Sequence, residues 1–232
     1  GTAMSMKADS FSLSWISDPQ VFAVNRLDAV SDHDVYASAQ EAEQGVSSLK
    51  RSLRGAWRMR YAECPTQAPA EYWREGFDDH DFDWVQVPGH LQMQGYGTIQ
   101  YVNTQYPWDG NEDLKPGEVS VKHNATASYV KRFSLTEAEA ASRVVLTLEG
   151  VESSAAVWLN GQFIGYGEDG FTPSRYDVSQ AARPGENRLC VQCFQRTSGS
   201  WLEDQDFWRF SGIFRDVTLT FEPKAHVEDI FV

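Results

Sequence analysis

Residues 199–212 form the densest group of polar and aromatic side chains in this sequence of 232 residues. They read GSWLEDQDFWRFSG, so the carboxylates of Glu203, Asp204 and Asp206 stand among tryptophan and phenylalanine rings. Carboxylates accept hydrogen bonds from pairs of hydroxyls, and aromatic faces cover the apolar C–H face of a pyranose ring. This mixture suits a neutral, hydroxyl-rich ligand, although a solvated acidic loop with its aromatics turned into the core has the same composition.

Asp204 and Asp206 also have the spacing of a carboxylate pair. In an extended chain their Cα atoms would lie ~6.6 Å apart on one face, at ~3.3 Å per residue. Glycosidases place two carboxyl groups about 5–9.5 Å apart, but any acidic pair at i, i+2 meets that range. General acid catalysis further needs one carboxyl group with a raised pKa, which this pattern does not indicate. We therefore expect binding rather than autonomous catalysis here.

A second polar and aromatic group covers residues 88–108. His90 has the chemistry of a base or a metal ligand, although a single loop histidine is more often structural. Asn103 both donates and accepts hydrogen bonds, so it could recognise a hydroxyl or stabilise a turn. The stretch between Pro88 and Asn124 predicts a long loop, and such loops are usually functional or form interfaces.

Two further motifs favour structural readings. Cys190 and Cys193 spell CxxC within an apolar run that predicts a strand, where residues i and i+3 point to opposite faces. We expect packed thiols there rather than a metal or redox pair. Residues 165–170 spell GxGxxG, but no helix start follows, and we expect a plain glycine-rich turn rather than a dinucleotide site.

Short runs with turn signals between them dominate the rest of the chain. Residues 54–61, 81–87, 127–135, 143–149, 187–194 and 213–221 predict strands, and residues 225–232 are a candidate for a final one. Asn160-Gly161 predicts a hairpin between residues 155–159 and 162–166. With about nine or ten strands and no βαβ alternation, the pattern predicts an all-β antiparallel sandwich or jelly roll.

The chain divides by composition into three parts. Residues 1–4 look like a cloning remnant, and residues 5–45 predict an extended N-terminal arm because they show little periodicity. Residues 46–232 predict the sandwich domain, with a linker to a following domain starting near residues 222–232.

The chain carries 20 basic and 33 acidic residues, a net charge of −13. This charge argues against nucleic-acid or anionic-membrane partners, and no apolar run approaches the ~20 residues of a membrane span. The three cysteines are an odd, sparse set, and the N-terminus has no apolar signal core. We therefore expect reduced thiols and a cytoplasmic location.

Seven motifs, in this order, resemble the N-terminal domain of the long bacterial β-galactosidases of glycoside hydrolase family 2. They are FAVNRL (22–27), SLRGAWR (52–58), VPGHLQMQGY (87–96), YVNTQYP (101–107), GYGED (165–169), PGENRL (184–189) and GSWLEDQDFWRFSGIFRD (199–216). The resemblance covers roughly residues 14–232. Where the family usually reads PSNWQ, this chain has PGHLQ, so His90 replaces the usual asparagine.

The resemblance implies a galactose-binding-like jelly roll that precedes an immunoglobulin-like domain and a catalytic TIM barrel, neither of which is in these residues. It implies that Asn103 and Asp206 contact galactose, with Asp204 as a neighbour that is not excluded. It also implies that Asp206 binds Na⁺ together with ligands from the barrel. Any Mg²⁺ of the full-length enzyme would have its ligands outside this chain.

The intact protein is then expected to be a homo-oligomer that hydrolyses β-galactosides such as lactose by a retaining mechanism. In that reading this chain completes the galactose subsite and has no catalytic residue of its own. Two alternatives stay open: an independent carbohydrate-binding module, which needs a complete site within the chain, and a structural domain that only braces the barrel and a subunit interface.

Overall fold

The structure, a computed structural model, describes residues 6–28, 36–45, 48–97, 124–168, 172–197 and 210–223. The strands in these ranges are β1 Ala23–Val24, β2 Lys50–Ser52, β3 Gly55–Ala62, β4 Asp83–Val87, β5 Thr126–Leu135, β6 Arg143–Leu148, β7 Val151–Glu152, β8 Ser154–Leu159, β9 Gln162–Glu168, β10 Ser174–Asp177, β11 Gly185–Phe194, β12 Gly212–Ile213 and β13 Val217–Glu222. The helices are α1 Ala39–Gln44, α2 Glu137–Ala141 and the 3₁₀ turns Leu13–Ser17, Pro65–Gln67 and Leu91–Gln94.

Two antiparallel sheets face each other across the main core. The larger has the strand order β1-β9-β8-β11-β5-β3-β4, the smaller has β10-β6-β13-β2, and β12 pairs with β7. Alternate residues of β3 and β6, such as Trp57, Met59, Leu146 and Leu148, point into this core and are almost fully buried. The predicted antiparallel β-sandwich is therefore confirmed. None of the helices in the described ranges has the length and apolar character of a membrane crossing.

The Asn160-Gly161 dipeptide turns β8 into β9. Both residues have positive φ, 50° and 82°, which asparagine and glycine tolerate best. The hairpin prediction is confirmed.

The N-terminal residues 6–28 cover the other face of the larger sheet. β1 pairs with β9 at the sheet edge, and Trp15 packs in a second apolar cluster with Trp158 and Phe194. Because of this cover, strand β8 and most of β11 are buried on both faces. The short helix α1 begins after the Ser38 cap and ends at Gly45, which has φ 69°.

Residues 165–168 are the last part of β9, so the predicted glycine-rich turn is wrong there. A Cβ atom at Gly165 would lie 2.5 Å from the ring of Tyr176 and 2.7 Å from the carbonyl oxygen of Val24. The glycines are required by this close packing between strands rather than by a turn. The predicted packing of the two thiols is confirmed, because Cys190 and Cys193 are buried and lie in different apolar clusters on the two faces of the sheet.

We expect Gly165→Ala to lower the free energy of unfolding by about 1–3 kcal/mol, the usual cost of overpacking a filled core. Gly150→Ala is the matched control, since the three atoms nearest its Cβ, at 2.9–3.1 Å, belong to the exposed side chain of Arg215 rather than to a buried ring and a backbone carbonyl, so we expect a smaller loss. Urea denaturation of both variants measures the difference. Equal destabilisation of the two variants would show that the contact with Tyr176 is not limiting.

Candidate functional site

One end of the larger sheet, here called the polar end, is where Ala62, Thr126, Phe194, Ser154 and Glu168 lie in register on neighbouring strands. The described residues Asn124, Glu168 and Thr197 lie at this end, and in the sequence they border residues 98–123, 169–171 and 198–209. Asn103, Asp204 and Asp206 belong to these stretches and lie outside the described residues. Their predicted roles therefore stay predictions.

The polar end concentrates buried polar side chains. Seven residues there are less than 9% exposed: Asn124, Thr126, Ser154, Glu168, Gln195, Arg196 and Thr197. Burying polar groups costs free energy unless they find partners. The hydrogen bonds of these side chains therefore decide how this end is built.

Asn124 joins two of the flanking chains. Its Nδ2 donates to the carbonyl oxygen of Arg196 at 3.0 Å, and the backbone N–H of Arg196 donates to its Oδ1 at 2.9 Å. The adjacent backbone N–H of Gln195 donates to the carbonyl oxygen of Ala125 at 2.9 Å. These hydrogen bonds hold residues 124–125 against residues 195–196.

The opposite flanks of the same stretches also meet. The rings of Tyr96 and Phe210 both pack on Tyr61, at centroid distances of 5.9 and 6.4 Å. The hydroxyl of Tyr96 donates to Asp83 at 2.8 Å, and burial, followed by this bond, raises the pKa of Tyr96 to about 12. Tyr96 therefore remains a hydrogen-bond donor at neutral pH.

His90 belongs to this second junction. Its Nδ1 lies 3.1 Å from the Ser211 hydroxyl, and its ring stacks on Phe214 at 5.6 Å. The backbone N–H of Leu91 donates to the carbonyl oxygen of Ser211 at 3.2 Å. These contacts give His90 a structural role between residues 88–91 and 211–214.

Glu168 is a residue of the polar end to which sequence reasoning assigned no role. Its side chain is 8% exposed, and its Oε1 has no hydrogen-bond partner among the described residues. Burial raises the pKa of Glu168 to about 7, although the Thr197 hydroxyl and Arg26 act in the opposite direction. The available signal was its position two residues after the buried Tyr166 on the same strand face.

We expect Glu168→Gln to stabilise the chain at pH 8 but not at pH 5. The folded wild-type chain holds the proton of Glu168 more tightly than the unfolded chain does. Protonated Glu168 therefore stabilises the wild type fully below about pH 4.5, and this contribution is lost as the pH rises through about 7, whereas glutamine stays neutral throughout. One pKa unit corresponds to about 1.4 kcal/mol, so a gain on the order of 1 kcal/mol or more is expected at pH 8. Thermal melts from pH 5 to 8, with the exposed Glu43→Gln as control, measure it. A difference that is constant with pH would contradict the assignment.

A groove of about 940 Å³ lies at the other end of β9. Its lining includes Asn25, Gln162 and Phe163. Arg143 in its wall is paired with Asp177 at 3.5 Å and with Glu222 at 2.5 Å, and Arg175 lies 3.9 Å from Glu222, so two positive and two negative charges compensate one another. Within the described ranges, no group of three or more His, Cys, Asp or Glu side chains is arranged to hold a metal ion.

Comparison with known proteins identifies the family. The profile described as "Glycosyl hydrolases family 2, sugar binding domain" matches residues 50–223. A beta-galactosidase of Halalkalibacterium halodurans is 50% identical over 98% of this chain, which spans 22% of that protein. A beta-galactosidase large subunit of Leuconostoc lactis is 44% identical over 94% of this chain, which spans 37% of that subunit.

Solved structures show the same fold. A beta-glucuronidase of Bacteroides uniformis matches with a TM-score of 0.56 and 20% identity, over 75% of this chain and 18% of its own. A beta-glucuronidase of Bifidobacterium dentium, complexed with coumarin-3-O-glucuronide, matches with a TM-score of 0.53 and 21% identity, over 76% and 30%. At this level of identity the likeness concerns the fold alone.

Proposed function

Because this chain belongs to family 2 of the glycosyl hydrolases and forms its sugar-binding domain, we propose that it holds the galactose unit of a β-galactoside for an active site completed elsewhere in a longer polypeptide. The observation that carries the proposal is the 50% identity to a beta-galactosidase over 98% of this chain. The chain spans only about a fifth to two-fifths of its relatives' length, so the acid/base and nucleophilic groups belong to the remainder.

Asn103 and Asp206 are the proposed galactose contacts, with Asp204 as the alternative acid. The described residues that border their two stretches in sequence, Asn124 and Thr197, both lie at the polar end, which supports a common site. A carboxylate accepts hydrogen bonds from two sugar hydroxyls, and an amide donates to one oxygen and accepts from another. These groups bind and orient the sugar, and proton transfer is left to groups outside the chain.

Asp206 is also the proposed ligand of a sodium ion. Hard cations need several oxygen ligands at once, and a single carboxylate supplies only part of a shell. The remaining ligands would come from the longer polypeptide, as would all ligands of any Mg²⁺. The free, buried cysteines support our further proposal of a reducing, cytoplasmic setting. Homo-oligomerisation of the intact enzyme is proposed from the family resemblance alone.

The test compares this chain with the intact polypeptide on a chromogenic β-galactoside. The intact polypeptide should hydrolyse it, and rigorously purified chain should not. Turnover by the chain alone that Asp204→Ala or Asp206→Ala abolishes would contradict the assignment of catalysis to the remainder. No turnover by either sample would contradict the proposed function itself.

A further inference from the structure

We propose that the groove at the start of β9 is a second binding site, for a neutral mono- or disaccharide. Its volume of about 940 Å³ lies within the range of about 300–1,000 Å³ that is usual for ligand sites. All the residues that line it are described, and it lies at the end of β9 opposite to the polar end. The site is therefore separate from the proposed galactose subsite and does not depend on it.

Phe163 supplies the groove with an aromatic surface. Its ring is half-buried, and the buried part packs on the rings of Trp15 and Trp158, at centroid distances of 5.9 and 6.0 Å. The remaining part of the ring lines the groove. Aromatic rings pack on the apolar C–H face of a pyranose, and the two tryptophan rings hold this one in place.

Gln162 and Gln180 supply hydrogen-bonding groups beside this ring. Both line the groove and are exposed, and neither side chain has a hydrogen-bond partner among the described residues. Each amide can donate hydrogen bonds from its nitrogen and accept them at its oxygen. The hydroxyls of a sugar also donate and accept, so two free amides next to an aromatic ring suit a hydroxyl-rich ligand.

The charged side chains of the groove argue against an ionic ligand. The salt-bridge network around Arg143 contains two positive and two negative charges. The two other charged residues of the lining, Lys7 and Asp9, have opposite signs. A charged ligand would find no excess of opposite charge to offset the cost of its dehydration, and a neutral sugar has no such cost.

Asn25 fixes one wall of the groove in advance. Its Nδ2 donates to the carbonyl oxygens of Ala8 and Ile164, at 2.7 and 3.1 Å, and its Oδ1 accepts from the backbone N–H of Ala8 at 3.0 Å. These hydrogen bonds hold the N-terminal segment against the start of β9. A site whose walls are already ordered binds its ligand with a smaller loss of conformational entropy.

Galactose titrated into the ¹⁵N-labelled chain, followed by two-dimensional NMR, tests the proposal. We expect saturable shifts of the backbone amide signals of Phe163 and Ala181, which both line the groove. The dissociation constant should be about 1–10 mM, because the polar groups of the groove are exposed and compete with water. Galacturonate, which has the same ring with a carboxylate, is the control ligand and should bind no more tightly than galactose.

Two variants separate this site from unspecific binding. Gln162→Ala combined with Gln180→Ala removes both exposed amides and should leave the fold unchanged. We expect it to raise the dissociation constant at least about fivefold, the effect of losing one or two ordinary hydrogen bonds. Gln86→Ala, on the edge strand β4 at the opposite edge of the larger sheet, is also exposed and should leave the constant within about twofold.

Three results would each overturn this inference: no saturable shift at the groove, shifts confined to the polar end, or unchanged affinity in the double glutamine variant. Tighter binding of galacturonate than of galactose would overturn the neutral ligand class. None of these results bears on the proposed function, which hydrolysis by the intact polypeptide tests.

Discussion

Asp206→Asn in the intact polypeptide should lower kcat/KM by about 10–100-fold with little change in melting temperature. Asparagine keeps the shape of aspartate but removes the charge. Hydrogen bonds to charged groups are worth about 1.5–3 kcal/mol and neutral ones about 1 kcal/mol, so the lost transition-state stabilisation corresponds to this range.

Steady-state kinetics and thermal melts on one preparation separate binding from stability. Asp204→Asn is the comparison variant, and we expect its effect to be the smaller of the two. A kcat/KM within about twofold of wild type for Asp206→Asn would show that Asp206 is not a substrate contact. A lowered melting temperature with near-normal kinetics would instead favour the structural bracing role.

Asp79→Ala should be the most destabilising of these substitutions, by about 3–5 kcal/mol. Arg132 and Arg188 lie directly opposite each other on β5 and β11, and Asp79 bonds to both, at 2.8 Å and 2.9 Å. Asp79 is only 4% exposed and Arg188 10%, whereas Arg132 is 40% exposed and screened by solvent, so removing the carboxylate mainly leaves the buried Arg188 without its counter-charge and opposite a like charge.

The same network predicts a pH dependence. Burial alone would raise the pKa of Asp79, but the hydrogen bonds from Arg132 and Arg188 outweigh it and hold the pKa below 3.8. A carboxyl group whose pKa is lower in the folded chain than in the unfolded chain stabilises the fold at pH values above its unfolded pKa. This contribution is lost as the pH falls through its folded pKa. Chemical denaturation at pH 7 and pH 3 measures it.

Asp78→Ala is the matched control for Asp79→Ala. Asp78 is the preceding residue and is exposed. Among the described residues, its side chain forms hydrogen bonds with His80 only. We expect a change of less than about 1 kcal/mol for it, the usual worth of a surface pair. A loss at Asp79 as small as that at Asp78 would contradict the network's role.

Local pattern was sufficient for most strands. The alternation around Trp57 and Met59 and the Asn160-Gly161 turn both depend on neighbouring residues only, and both predictions are confirmed. The predicted strand 213–221 is instead β12 and β13, because residues 214–216 interrupt the pairing and β12 joins β7 while β13 joins β6.

Features that depend on distant residues were not predictable. Phe82 and Trp84 share a strand face by spacing, yet Phe82 is 4% exposed and Trp84 is 63% exposed. The reason is that Phe82 packs in the second apolar cluster and Trp84 does not. The pairing of Asp79 with arginines of two strands and the burial of Glu168 likewise depend on residues distant in the sequence. For the site itself, motif resemblance alone supplied Asn103 and Asp206, and their contacts stay predictions.

Titration calorimetry with galactose tests the central claim most directly, using this chain alone, the intact polypeptide and the intact polypeptide with Asp206→Asn. We expect saturable binding by the intact wild type, a clear loss of affinity with Asp206→Asn, and no binding by the chain alone tighter than about 1 mM, or about 4 kcal/mol. Binding by the chain alone as tight as by the intact polypeptide would contradict a composite site and identify an independent carbohydrate-binding module.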